Sequence, residues 1–157
     1  MAKEDAVKSG LGGWLIFVGL GIIISPFRFL MAIPEYLPMF EENIIEDLVS
    51  FNPLWEYYIW TEIIMNLIIL LCSIYLVFLF FAKKTIFPKF YIWLLYGSLI
   101  FVISDAVAGG VLLKEILPEG PYIDPESRIA IGTSLVSTII WVPYLMLSKR
   151  VKATFVK

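Results

Sequence analysis

Four charged side chains lie in or at the edge of stretches that are otherwise apolar, and they are the residues with which this chain could do chemistry. Arg28, Glu62 and Asp105 fall inside long hydrophobic runs, and Arg128 stands at the start of another. A charge in membrane hydrocarbon is costly, so it is normally turned into a bundle, paired, and tied to a function. Asn66, one helical turn from Glu62, adds a hydrogen-bonding amide. Arg28, Glu62, Asn66, Asp105 and Arg128 are therefore the candidate binding cluster. The chemistry open to it is narrow. With no histidine in the chain, the commonest metal ligand and general base are missing. Cys72 is the one cysteine, and it reads as a packing residue in an apolar run. Two carboxylates could serve acid–base work, but no nucleophile motif or metal-ligand cluster accompanies them. The sequence thus predicts no catalytic residue, no metal, no cofactor and no enzyme. What remains is recognition of a small solute, an anionic head group or a proton.

Positioning these residues falls to four apolar segments. Of 157 residues, 60% are hydrophobic and only 17% charged, with a mean hydropathy of +0.87. Soluble domains carry about a quarter charged residues. Crossing a hydrocarbon core about 30 Å thick takes about 20 residues of helix. Runs from about Leu11 to Ile33, Tyr57 to Ala82, Phe90 to Leu113 and Arg128 to Leu147 reach that length. They are apolar on every side, unlike the alternating strands of a barrel, which leaves helices as the structure that satisfies the backbone in lipid. The first run is too long for a signal-peptide core and lacks a small-x-small cleavage site, so it reads as a retained span. The expected fold is all-α and integral to the membrane. It is a single domain, 1–157, forming a four-transmembrane-helix bundle. Its connections are an outer loop at 34–56, an inner loop at 83–89, an outer loop at 114–127 and a tail at 148–157.

Charge sets the expected orientation. Lys3 and Lys8, then Lys83, Lys84 and Lys89, then Lys149, Arg150, Lys152 and Lys157 fall in segments that share one side. That side should be the cytoplasm, giving N-in and C-in. Glu35, Glu41, Glu42, Glu46, Asp47 and Glu56 crowd the first outer loop, and Glu115, Glu119, Asp124 and Glu126 face Lys114 in the second. Trp55, Tyr57, Tyr58 and Trp60, with Trp14, Tyr91 and Trp93, fit interfacial aromatic belts. Asp124-Pro125-Glu126 reads as an N-cap, a proline at the first helical position and an acid on the positive helix end. Phe40, Ile44, Ile45, Leu48 and Phe51 recur at helical spacing among acids. They predict a short amphipathic helix in the first extracytoplasmic loop, serving as a lid on the bundle or a docking helix.

Depth and phase connect the charges. At a rise of about 1.5 Å per residue, Arg28 and Glu62 lie roughly 7 Å, and Asp105 roughly 12 Å, from the outer ends of their spans. Trp14, Gly21, Ser25 and Arg28 share one face of the first helix. Tyr58, Glu62, Asn66 and Ser73 share one face of the second, and Tyr91, Ser98, Asp105 and Gly109 one face of the third. Such stripes belong in an interior, where Arg28 is expected to pair with Glu62, Asp105 or both. Arg128 breaks the pattern, because Thr133, Ser134, Ser137, Thr138 and Trp141 lie on the opposite face of the fourth helix. Pro26 should kink the first helix near Arg28 by freeing the Ile22 carbonyl. No internal repeat supports an inverted-repeat carrier, and four spans are few for alternating access, so transport would need a homo-oligomer.

Several motifs carry a likeness beyond periodicity. They are Gly10-Leu11-Gly12-Gly13-Trp14-Leu15, Ser25-Pro26-x-Arg28, Phe87-Pro88 and Glu126-Ser127-Arg128. To these add Trp141-x-Pro143-Tyr144 and the closing Ser148-Lys149-Arg150-Val151-Lys152-Ala153-Thr154-Phe155. Over nearly its whole length the chain resembles a bacterial family of small four-span inner-membrane proteins described as domain of unknown function 2569. The resemblance implies a bacterial inner-membrane location and brings no activity, cofactor or catalytic residue with it. It places motif positions at Arg28 and Glu126 to Arg128, which favours a shared role for the charged mouth. The function expected is binding or transport of a small solute or lipid head group at an outward-facing polar cluster. The alternative is an accessory or structural subunit docked to a larger complex. Expected partners are membrane lipids, with a second copy or another membrane protein, and no nucleic acid.

Overall fold

The computed structural model describes residues 9–41 and 44–157, with the side chains of 32, 33, 35, 36, 39 and 41 outside the description. Lys3, Lys8 and Glu42, and the side chains of Glu35 and Glu41, therefore lie outside the described residues. Six helices follow in order: α1 (Trp14–Glu41), α2 (Ile44–Phe51), α3 (Leu54–Phe81), α4 (Phe87–Ile116), α5 (Pro125–Leu147) and α6 (Lys149–Thr154). No strand occurs among the described residues. Helices α3, α4 and α5, with Trp14–Met31 of α1, are long and apolar enough to cross a bilayer. This is a multi-pass membrane protein.

α1 outruns the span expected for it. The helix continues beyond Ile33 to Glu41, through Pro34 and Pro38 as well as Pro26. A proline removes one hydrogen bond, but its φ is already close to helical. The stretch from 34 onward is therefore mostly helix rather than loop. α2 then carries Glu46 and Asp47 in its first turn, where acids suit the positive helix end. Its Ile45, Leu48 and Val49 pack on a cluster of Trp55, Ile59 and Leu112. An Asn52 side-chain N–H to Glu115 at 2.6 Å ties the α2–α3 corner to the end of α4. Trp55, expected at an interface, is instead buried in this cluster.

The two ends of the bundle differ in packing. At the basic end, which holds Lys83, Lys84, Lys89 and Arg150, one core joins the four long helices to the chain's tail. Leu15, Val18 and Ile22 meet Leu76, Leu79 and Phe80, together with Phe87, Leu145, Val151 and Phe155. Phe155 stacks on Phe87 with centroids 4.3 Å apart. The α3–α4 turn closes with Lys83 N–H to the Phe80 carbonyl and Lys84 N–H to the Leu79 carbonyl, the paired bonds of a helix C-terminus. Lys83 takes the left-handed position at φ 53°, where glycine is usual. The chain terminus clamps this turn: Thr85 N–H donates to the Lys157 carbonyl at 2.8 Å, and Lys157 N–H to the Lys83 carbonyl at 3.2 Å.

A second clasp binds the two motif-bearing ends of the sequence. Gly10 N–H donates to Thr154 Oγ1 at 3.0 Å, and Arg150 Nε–H donates to the Gly10 carbonyl at 3.2 Å. The Arg150 guanidinium lies against Gly12 and Gly13, where a Cβ would come within 2.6 and 2.8 Å of it. Gly13 also has φ 61°. The glycines thus make room for an arginine that arrives from the far end of the chain.

At the acidic end, α5 begins as its sequence predicts. Asp124 caps it by accepting Ser127 N–H at 2.8 Å, with Pro125 in the first turn. The Ser127 hydroxyl, and then its backbone N–H, hold the Asp124 carboxyl below the ordinary carboxylate range. Among the described residues the core at this end is the smaller cluster of Trp55, Ile59 and Leu112, and space is left between it and the basic-end core.

Candidate functional site

That unfilled space is a cavity of about 860 Å³ between the four long helices. Its floor is the basic-end core, where Ile22 and Leu76 are both lining residues and buried. Polar groups reach it from every long helix. α1 contributes Ser25 and Arg28, α3 contributes Asn66 and Ser73, and α4 contributes Tyr91 and Ser98. α5 adds Thr133, Ser134, Ser137 and Trp141. The Ser25 hydroxyl donates to that of Ser73 at 3.3 Å, bridging α1 and α3. Most of the remaining wall is aliphatic and aromatic, including Phe29, Trp60, Leu94 and Phe101. Of the stripes read from helix phase, Gly21, Ser25, Arg28, Asn66, Ser73, Tyr91 and Ser98 line the cavity, while Trp14, Tyr58, Glu62, Asp105 and Gly109 do not.

The five cluster residues do not converge. Arg28 and Asn66 line the cavity, whereas Glu62, Asp105 and Arg128 do not. Asp105 is half-buried further toward the acidic end of α4. It accepts a hydrogen bond from the Tyr58 hydroxyl, with Glu62 and Asp124 within electrostatic reach. There α3 and α4 come close, because Tyr58 lies over Gly109, where a Cβ would be 2.8 Å from its hydroxyl oxygen. This contact ends the α4 wall near Phe101 and Val102 and leaves Asp105 above it. Arg128 is exposed, and its Nε–H donates to the Ile123 carbonyl at 2.9 Å, bracing the turn before α5.

The expected pairing of Arg28 with Glu62 or Asp105 is not formed. Arg28 makes no ion pair with any described residue, and it is the only charged side chain among the described residues lining the cavity. The acids gather on the α3–α4 seam, while the cation stands on the cavity wall. Sequence reasoning also missed most of the apolar wall, Phe29, Leu94 and Phe101 among it, because aliphatic and aromatic residues carry no mark distinguishing cavity from lipid. Among the described residues no group of three or more His, Cys, Asp or Glu could hold a metal ion.

Comparison with known proteins adds the family and nothing finer. No curated protein and no solved structure matches the chain. A family model described as protein of unknown function DUF2569 matches residues 8–156, and it takes in the Gly10–Gly13 turn, Arg28 and the Arg150 clasp. The chain belongs to that family.

Proposed function

We propose that this protein is a ligand-binding protein of the bacterial inner membrane whose central cavity holds a small molecule through Arg28. One observation carries the reading: a cavity of about 860 Å³, largely apolar, with Arg28 its single charged lining residue among those described. Small-molecule sites are typically about 300–1,000 Å³, apolar, with few polar groups that fix orientation. A guanidinium at membrane depth is costly without compensation, and an anionic occupant supplies it. The protein acts as a binder or carrier and not as an enzyme. It is oriented with the basic end in the cytoplasm, following its lysines and arginines, so that the cavity's mouth opens outward. For that orientation, a thiol reagent added to intact cells should label Glu42→Cys and spare Lys84→Cys, in a Cys72→Ala background. The reverse pattern would refute it.

The binding test is native mass spectrometry of the protein released from membranes. The wild type should carry a bound small molecule, and Arg28→Gln should lose it while melting within a few degrees of the wild type. If Arg28→Gln melts far lower and holds the same molecules, the arginine is structural, and the accessory-subunit reading takes its place.

A further inference from the structure

We propose that the cavity's occupant is an anionic membrane amphiphile that reaches it sideways, through the gap between α1 and α5. This names the ligand class for the binding reading above and rests on it. The first observation is the order of helix contacts. α1 packs on α3, α3 on α4 and α4 on α5, whereas α1 and α5 scarcely touch among the described residues. Both helices nevertheless line the cavity, α1 with Ser25 and Arg28, α5 with Ala130, Thr133 and Ser137. The ring of helices is open on one side, and that side faces hydrocarbon. On the α1 side Gly21 lines the cavity with nothing within 4 Å of where its Cβ would stand, and on the α5 side the lining residues Ala130, Thr133 and Ser137 are small.

Dimension and charge agree with a lipid. The α5 wall, from Ala130 to Trp141, runs about 16 Å at a rise of about 1.5 Å per residue. One leaflet of a hydrocarbon core about 30 Å thick is of the same depth. Arg28 lies about five residues, roughly 7 Å, inside the end of the apolar run that closes near Ile33, from where its long side chain reaches the level of an acidic head group. Below it the wall is mainly apolar, interrupted by the Ser25–Ser73 pair, Tyr91, Ser98 and Ser137, and ends on the closed floor at Ile22 and Leu76. A cation near the membrane surface, a leaflet-deep greasy slot and a lateral opening match an acyl chain with an anionic head. A small soluble anion would leave most of this wall unused.

The test uses the full chain in mixed micelles containing equal phosphatidylglycerol and phosphatidylcholine, read by native mass spectrometry. The wild type should retain phosphatidylglycerol over phosphatidylcholine by about tenfold or more, equivalent to about 1.4 kcal/mol. Arg28→Gln should erase the preference. In a second arm, Ile24→Cys and Thr133→Cys in a Cys72→Ala background are bridged by a bifunctional thiol reagent. Closing the gap should slow exchange of bound phosphatidylglycerol for isotope-labelled lipid by at least about tenfold, as for a blocked path. Equal retention of the two lipids, or a preference that survives Arg28→Gln, overturns the ligand class. Exchange that ignores the bridge overturns the lateral path, as does a bridge that joins two chains, which makes the gap an interface between copies. If inorganic phosphate raises the melting temperature through Arg28 while no lipid is retained, the cavity binds a soluble anion: the binding reading stands and this inference falls. If neither lipid nor phosphate responds, both fall.

Discussion

Lys83 shows how a single residue records what the chain must accept to close a turn. It occupies a left-handed backbone position at φ 53° at the end of α3, which costs an L-residue roughly 1–2 kcal/mol and glycine almost nothing. Its side chain gains no hydrogen bond there among the described residues. Lys83→Gly should therefore raise the unfolding free energy by about 1 kcal/mol in detergent, read as an upward shift of the thermal midpoint. An unchanged or lower midpoint would mean that the lysine's charge at the basic end outweighs the strain. Gly110 is the opposite case. Any Cβ there would run into the carbonyl of Tyr122, so the tight approach of the α4–α5 connection to α4 is set by a missing side chain. Arg28 differs from both, because no contact with the described residues explains its presence on the cavity wall.

At the scale of elements, long apolar runs were readable because a bilayer imposes a length and leaves no alternative to the helix. The α5 start was readable too, since Asp124, Pro125 and Ser127 encode their cap locally. The continuation of α1 past Ile33 was not. Prolines and acids there resemble a stop signal, yet a proline in an established helix forfeits one bond and fits the φ of the rest. The levels of Glu62 and Asp105 were hidden for another reason. Periodicity reports the face a residue occupies, while the level at which neighbouring helices close together depends on pairs such as Tyr58 and Gly109. The clasp between Gly10 and Thr154 joins segments 144 residues apart, and neither segment announces the other. Its weight can be measured at Phe155, buried against Phe80 and Phe87. Phe155→Ala should cost about 3–5 kcal/mol, as large-to-small core changes do. Denaturation in mixed micelles would give the value. A loss under about 1 kcal/mol would show the tail to be an appendage and not part of the core.

The whole molecule is closed at one end and hollow toward the other. Its basic end gathers four long helices, α6 and the terminus around Phe80, Phe87 and Phe155. Above that core the middle of the bundle surrounds about 860 Å³ of space. Protein interiors are normally packed close to the density of organic crystals, so a space of this size, partly open to its surroundings, either takes up another molecule or is a plain groove between helices. Gly21 separates the two. It lines the cavity, and a side chain placed there meets no protein atom within 4 Å of its Cβ. Leucine in mid-helix is also favoured over glycine by roughly 0.8–1 kcal/mol. The decisive measurement is Gly21→Leu, followed by thermal unfolding and native mass spectrometry on one preparation. The binding account predicts a midpoint at or above that of the wild type together with loss of the bound molecule. A raised midpoint with the same bound masses as the wild type would contradict it, because the cavity could then be filled without displacing anything.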